Sequence, residues 1–229
     1  MLIHKPQNMS WEVAAAIPEV WITALQAMDL IGGFSAGKSI LWHAGASSVS
    51  IAGIQLSKAL GASAIYATVG TQEKVKFCKS LGANAVWNYR ESDWAQELQT
   101  TTGGKGVDII IDFVGQKYFQ MNLNSAAQDG RVVIVGLLSG AKIANDQKEI
   151  DLSPFVGKRL RVEGSRLRSR DLVYQRALRD HLVEEVLPKF IDGTLEVVIE
   201  KVFDWNEIQA AHRLMESNTI MGKIVCKVA

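Results

Sequence analysis

Cysteine is scarce. Only Cys78 and Cys226 occur in 229 residues, too few for a disulfide framework and too far apart for a Cys-x-x-Cys zinc lobe. A reduced, cytoplasmic setting is the expectation that follows. Charge of one sign is also lacking. Lys and Arg total 25 against 24 Asp and Glu, a formal +1, which argues against a nucleic-acid surface. The basic cluster Lys158, Arg159, Arg161, Arg166, Arg168 and Arg170 is interleaved with Leu160, Val162 and Leu167, the pattern of a strand with one solvated face. No run reaches roughly 18 uninterrupted apolar residues, so no membrane span is expected. The opening MLIHKPQNMSWEV has no apolar signal core. Credible spacing for a Ser-His-Asp or Cys-His set is missing too, and His4, His181 and His212 stand alone.

What is present is core-forming sequence, 48% hydrophobic, in short apolar runs that alternate with helical patterns. That alternation signals a parallel sheet with crossover helices. Strands are expected at Ser39–His43, Ala64–Val69, Ala85–Trp87, Val107–Asp112, Arg131–Leu137 and Leu160–Leu167. Helices are expected at Ser48–Leu60 (ended by Gly61), Gln72–Leu81 (ended by Gly82), Ser92 through about Thr101 with Ser92 as cap, and Gln116–Gln128. The fold class is therefore α/β, a doubly wound parallel Rossmann sheet. A long amphipathic helix at 171–191 follows. Then come a strand at Val197–Phe203, a helix at Asn206–Ser217 and a strand at Lys223–Val228, which break the βα rhythm and belong to another layer.

The first strand-to-helix turn is His43-Ala-Gly45-Ala-Ser47-Ser48-Val49-Ser50. Strand, small-residue turn, helix is the layout that holds a pyrophosphate on a helix N-terminus. Glycine fills only the first small position, at Gly45; Ser48 and Ser50 fill the others. Their hydroxyls could donate to a phosphate or cap the helix. An ordinary turn in a nonbinding α/β protein fits the loop equally well. The second strand runs into Gly70-Thr71-Gln72-Glu73-Lys74, with no carboxylate at its tip to take ribose hydroxyls. Thr71 and Lys74 offer a hydroxyl and a cation on one turn, which suits a 2′-phosphate.

Nine stretches carry a resemblance along the whole chain: Ala14–Ala24, the His43–Ser50 turn with its helix through Gln55, Gly70–Lys74, Leu81–Ala83, Asn88–Tyr89, Asp112–Gly115, Gly136–Leu138, Leu167–Arg170 and Gly222–Val225. In this order they resemble the zinc-independent, zeta-crystallin-type quinone oxidoreductases of the medium-chain dehydrogenase/reductase superfamily. The resemblance implies NADPH as cofactor and a small-molecule quinone or enone-like carbonyl as hydride acceptor. It also implies a homodimer, with neither nucleic acid nor membrane as partner. It places Thr23 against the nicotinamide, and Gly45, Ser47, Ser48 and Val49 at the pyrophosphate turn. Gly70, Thr71, Lys74 and Tyr89 fall around the 2′-phosphate. Gly136, Leu137 and Leu138 fall at the strand end bordering the nicotinamide ribose, and Leu167 and Asn218 along the cleft. No metal site is implied. His43 and Asp112 read as structural groups.

Two departures stand out. Ser48 and Ser50 replace glycines common in the family, and the GroES-like substrate domain that precedes Ala14–Ala24 in family members is mostly absent. The expected division is 1–17 as a remnant of that domain or linker, 18–165 as the NADPH-binding Rossmann domain, and 166–229 as the returning segment of a GroES-like α+β substrate domain. Two functions follow: an NADPH-dependent oxidoreductase, or an NADPH-binding module without reductase activity that serves as partner subunit, sensor or non-redox catalyst.

Overall fold

Three central strands are built from residues with no exposed surface at all: Ile40, Leu41 and Trp42, then Ile110 and Ile111, then Val133. Such continuous apolar runs belong to parallel strands covered on both faces. The computed structural model describes residues 2–142 and 150–228. Its elements run α1 (Trp11–Ala16), α2 (Pro18–Leu25) with a π turn Gln26–Ile31, β1 (Ser39–Trp42), α3 (Ser48–Ala59), β2 (Ala64–Val69), α4 (Gln72–Ser80), β3 (Ala85–Asn88), α5 (Trp94–Thr101), β4 (Val107–Asp112), a 3₁₀ turn Gln116–Tyr118, α6 (Phe119–Ser125), β5 (Ala126–Ile134), α7 (Ser153–Gly157), β6 (Arg161–Gly164), α8 (Leu172–His181), a π turn Leu182–Val186, α9 (Leu187–Ile191), β7 (Ile199–Asp204), a 3₁₀ turn Trp205–Glu207, α10 (Ile208–Glu216) and β8 (Lys223–Lys227).

The first six strands form one sheet in the order β3-β2-β1-β4-β5-β6, and every neighbouring pair is parallel. This is the doubly wound Rossmann order, whose crevice lies at the carboxyl ends of β1 and β4 where the winding reverses. β7 and β8 pair with each other in a separate two-stranded parallel sheet. The tail nevertheless shares the main core: Leu178, Leu182, Val186 and Leu195 pack in one cluster with α2 and the sheet. The helical run Trp11–Ile31 is long and apolar enough to cross a membrane, but 67% of its most apolar stretch is buried in the fold.

Local chemistry sets most boundaries as the sequence predicts. Gly61 and Gly82 end α3 and α4 with φ of +79° and +116°, conformations a side chain would oppose. Several boundaries differ: β6, expected over Leu160–Leu167, covers Arg161–Gly164, and β7 begins at Ile199 and not at Val197. Asp93, not Ser92, caps α5 by accepting from the Ala95 and Gln96 N–H groups. The helix expected to reach Gln128 stops at Ser125, because the Lys158 ammonium donates to the carbonyls of Asn124 (2.7 Å) and Ala126 (2.9 Å) at its end. β5 then starts early and bulges, its register against β4 jumping between Val107 and Ile109, with Asp129 pinned by Arg159. β5 also ends at Ile134, since the Val135 and Gly136 N–H groups both turn to the Asp112 carbonyl.

The 171–191 helix is one helical run with a π turn before Pro188. Proline has no N–H to donate, and the wider turn accommodates it.

Candidate dinucleotide site

At the end of β1 the backbone turns through Ala44, whose φ is +50°. The left-handed residue of this turn is an alanine rather than the neighbouring glycine, at a steric cost. Gly45 serves close approach instead. A Cβ there would lie 2.9 Å from the Ala67 methyl and 3.2 Å from the Cys78 sulfur. The Gly45 N–H donates to the Thr68 carbonyl at 2.9 Å, tying the turn to β2.

Three serines then finish the turn. The Ser47 hydroxyl caps α3 by accepting from the Ser50 N–H. The Ser50 hydroxyl, fully buried, donates to the His43 carbonyl at 2.8 Å. The Ser48 hydroxyl donates to the Gly222 carbonyl at 2.8 Å, so the tail lies against the start of α3. The hydroxyls expected to meet a phosphate thus already have protein acceptors. What the turn offers an anion is the N-terminal end of a twelve-residue helix. Val49 packs on the core from the same turn. On the next turn of α3, Gly53 lets the helix settle on β1: a Cβ would reach the Trp42 ring at 2.2 Å.

Beneath the turn runs a buried polar chain. Asp112 accepts from the Val114 (2.7 Å) and Gly115 (3.1 Å) N–H groups and from the Asn122 amide (3.1 Å). That orientation leaves the Asn122 oxygen to accept from His43 Nε2 at 2.8 Å. His43 Nδ1 then accepts from the Thr68 hydroxyl at 2.8 Å. Burial pushes the His43 imidazole down to about 4, against the opposing hydrogen bond to Asn122. Burial pushes Asp112 up to about 6, against its N–H donors. Trp94 and Tyr118 pack edgewise on the His43 ring. Both groups are therefore structural, as the sequence indicated. Asn122 and Thr68, which complete the chain, carry no sequence signal.

Through Val114 this chain steadies the next loop. The Ser139 N–H donates to the Val114 carbonyl at 2.8 Å, and the Leu138 N–H to the Phe113 carbonyl at 3.0 Å. Gly136 fits because a Cβ would lie 3.0 Å from the Phe113 carbonyl oxygen. Leu137 and Leu138 present 52% and 78% of their surface to solvent. Thr23 commits its hydroxyl to the Glu19 carbonyl at 2.7 Å, one turn back on α2. Its neighbour Ile22 and the more distant Leu167 line the same apolar groove of about 530 Å³, with Ile3, Met9 and Leu187.

The ends of β2 and β3 form the other corner. Thr71 caps α4 by accepting from the Lys74 N–H. The Lys74 ammonium donates to the Asn218 carbonyl at 2.6 Å, and the left-handed φ of Asn218, +57°, lies at that bend. Burial first, and then the Arg90 charge, hold the Lys74 ammonium below its usual range. The Tyr89 hydroxyl and the Arg90 guanidinium both approach Gly70: a Cβ there would lie 2.6 Å from Tyr89 Oη and 3.4 Å from Arg90 Nε. Asn88, buried at the end of β3, holds this turn by accepting from the Arg90 N–H. Arg90 escaped the sequence reading. Its only signal is a cation directly after Tyr89.

The structure thus gathers Gly45, Ser47, Ser48, Val49, Gly70, Thr71, Lys74, Tyr89 and Asn218 around the carboxyl ends of β1 and β2, and sets Gly136, Leu137 and Leu138 beyond the end of β5. At Gly70 and Gly136 the space a side chain would take is filled by Tyr89 and by the Phe113 backbone, and the strand ends so built fit a dinucleotide. Among the described residues no three His, Cys, Asp or Glu side chains come together. Cys78 is buried, with its thiol pushed up to about 12.

Comparison with known proteins agrees with this architecture. The squalestatin tetraketide synthase of Phoma sp. (strain C2932) is 31% identical over 229 residues, 96% of this chain and 8% of that protein. An NAD-dependent alcohol dehydrogenase structure is 33% identical with TM-score 0.80, covering 98% of this chain and 61% of the other. The CurK enoyl reductase is 29% identical with TM-score 0.81, covering 99% and 65%. The Escherichia coli quinone oxidoreductase, solved with NADPH, is 27% identical with TM-score 0.82, covering 96% and 66%. The chain thus spans about two thirds of these solved structures and a small part of the synthase. The zinc-binding dehydrogenase model matches residues 48–184, from the first turn of α3 to the π turn after α8. On that match and on its sheet order, the chain belongs to the zinc-binding dehydrogenase family, within the medium-chain dehydrogenase/reductase superfamily.

Proposed function

We propose that this chain binds NADPH along the carboxyl edge of its sheet and forms the cofactor half of a zinc-independent reductase of quinones or enone-like carbonyls. One observation carries the cofactor choice: the tip of β2 has Gly70, Thr71 and Lys74, with Tyr89 beside them, where an NAD site would place a carboxylate. The pyrophosphate would lie at the start of α3, and the nicotinamide toward Gly136–Leu138. Bound NADPH supplies a hydride to an electron-poor carbon, and water supplies the proton that completes the reduction. The chain's own part is to bind, orient and partly shield. The likeness to an enoyl reductase and to an NADPH-bound quinone oxidoreductase supports this acceptor class. Zinc independence rests on the separation of the two cysteines and the lack of a donor cluster among the described residues. A second copy of the chain would cover the β6 edge of the sheet.

A second reading, an NADPH-binding module without turnover of its own, is favoured by the exposure of Leu137 and Leu138. A nicotinamide beside them would be open to water, which weakens orientation and shielding. One experiment separates the two. NADPH and NADH are titrated by fluorescence, then a simple quinone, an enone and a short enoyl thioester are added while the absorbance of reduced nicotinamide is followed. Oxidation with any acceptor supports the reductase. Saturable NADPH binding with no oxidation supports the module.

A further inference from the structure

The loop after β5 is held by hydrogen bonds and hardly by packing. Leu137 and Leu138 are exposed, and of its apolar side chains only Val135 packs on the core. Its N–H groups instead reach the end of β4. Val135 and Gly136 donate to the Asp112 carbonyl at 2.7 and 3.2 Å, Leu138 to the Phe113 carbonyl at 3.0 Å and Ser139 to the Val114 carbonyl at 2.8 Å. The Ser139 hydroxyl donates to Val114 as well, at 2.8 Å. Residues 112–115 are fixed in turn by the Asp112 carboxylate, which accepts from the Val114 and Gly115 N–H groups and holds Gly115 at φ +82°. Among the described residues, that carboxylate has one side-chain donor, the Asn122 amide at 3.1 Å. The oxygen of the same amide accepts from His43 at 2.8 Å. His43 is the last residue before the Ala44 turn, and its carbonyl holds the Ser50 hydroxyl. Asn122, Asp112 and His43 have no exposed surface. An amide has a fixed donor end and a fixed acceptor end, and a buried group left unpaired at either end is costly. The side chain therefore has one orientation, and it ties one end of the crevice to the other.

We propose that Asn122 is a positioning residue for the nicotinamide: it fixes the Gly136–Leu138 loop relative to the Ala44–Ser50 turn, and so sets where a bound nicotinamide stands relative to its pyrophosphate. The inference rests on the NADPH reading above. Asn122 lies beneath the site and acts through Asp112 and Val114 on one side and through His43 on the other.

The test uses the full chain and titrates NADPH and 2′-phospho-ADP-ribose, which lacks the nicotinamide. Asn122→Leu keeps the size of the side chain and removes both hydrogen bonds. The double variant Asp112→Asn with Asn122→Asp exchanges amide and carboxylate and can keep every hydrogen bond of the route. Far-UV circular dichroism checks each fold, and Asn122→Ser, with the same expectations, replaces Asn122→Leu if that variant does not fold. Asn122→Leu is expected to weaken NADPH by about tenfold, on the order of one hydrogen bond. It should leave 2′-phospho-ADP-ribose within about twofold and abolish the fluorescence gain of bound reduced nicotinamide. The double variant should restore both the affinity and the fluorescence. Equal weakening of the two ligands, or no change, overturns the proposal, and so does a folded double variant that restores neither signal. Wild-type protein that binds the two ligands equally, with no nicotinamide fluorescence gain, overturns the role of the loop and of Asn122 alone. Wild-type protein that does not bind NADPH overturns the NADPH reading, and this proposal with it.

Discussion

The Ser48 hydroxyl reaches across 174 residues to donate to the Gly222 carbonyl at 2.8 Å. A backbone bridge between Ser47 and Gly222 runs beside it. The first turn of α3 is thereby fastened to the segment that leads into β8. Gln55, two turns later, fastens the segment that leads into β7 by exchanging hydrogen bonds with the Glu196 backbone, at 3.1 and 2.9 Å. Ser48→Ala is expected to cost about 1 kcal/mol, the net worth of one hydrogen bond. It should raise amide exchange in Lys223–Lys227 while leaving β1 and β4 protected. Unchanged exchange in β8 would show that the contact fastens nothing.

Ala44 occupies a left-handed conformation, φ +50°. Glycine adopts that conformation without the clash between Cβ and backbone. Ala44→Gly should therefore stabilise the chain by about 1 kcal/mol, read as a higher urea midpoint with the same slope. Ala44→Val should do the reverse, since branching at Cβ worsens the clash. Equal midpoints for all three proteins would contradict the strain.

Gly53 faces the Trp42 ring at a distance that excludes any side chain, 2.2 Å from a Cβ. Gly53→Ala gains helix propensity of about 1 kcal/mol. It also forces α3 away from β1, at about 1–3 kcal/mol for overpacking. The clash involves a rigid, fully buried indole held by its N–H to the Ser57 hydroxyl at 3.1 Å, so the cost should win. A lower melting temperature together with weaker NADPH binding is expected, because α3 follows the turn proposed to hold the pyrophosphate. A rise in melting temperature would show that the helix can shift freely.

His43 and Asp112 pull stability in opposite directions over one pH window. The imidazole falls from an ordinary 6.5 to about 4, so its contribution is complete above 6.5 and lost as pH falls toward 4. The Asp112 carboxyl rises from an ordinary 3.8 to about 6, so its contribution is complete below 3.8 and lost as pH rises through 6. Each shift corresponds to about 3 kcal/mol, and in the wild type they largely cancel. Asp112→Asn leaves the histidine alone, and urea midpoints should climb from pH 4 to 6.5. His43→Gln leaves the carboxyl alone, and they should decline over the same range. Parallel pH profiles in the two variants would refute the opposition.

The sequence disclosed what depends on near neighbours. Strands made of Ile, Val and Leu runs and the stops Gly61 and Gly82 follow from residues within one turn of one another, whereas the caps were misplaced: Ser47, Thr71 and Asp93 cap the helices, where Ser48, Ser50 and Ser92 were the capping candidates. It concealed what depends on distant partners. The early end of α6 is set by Lys158, more than thirty residues on, and the bend after Ile134 by the Asp112 carbonyl. Nothing in an alanine announces the φ of Ala44, which the strand ends on either side impose. At the candidate site, Lys74 was suggested by the chemistry of its own turn and Tyr89 by family resemblance. Arg90 was not, because a lone cation on a turn is usually just solvated, and only the approach to Gly70 distinguishes it.

The serines of the turn have one more consequence. With Ser47 capping the helix and Ser50 holding the His43 carbonyl, the loop between β1 and α3 is already ordered before anything occupies it. A glycine-rich loop of the same length has more conformations to surrender on binding. Here that entropy is lost during folding, and a ligand meets a preorganised surface. Association at this turn should therefore have a smaller unfavourable entropy than a looser loop would give, so that affinity is governed by the charges at the far corner and not by closure of the loop.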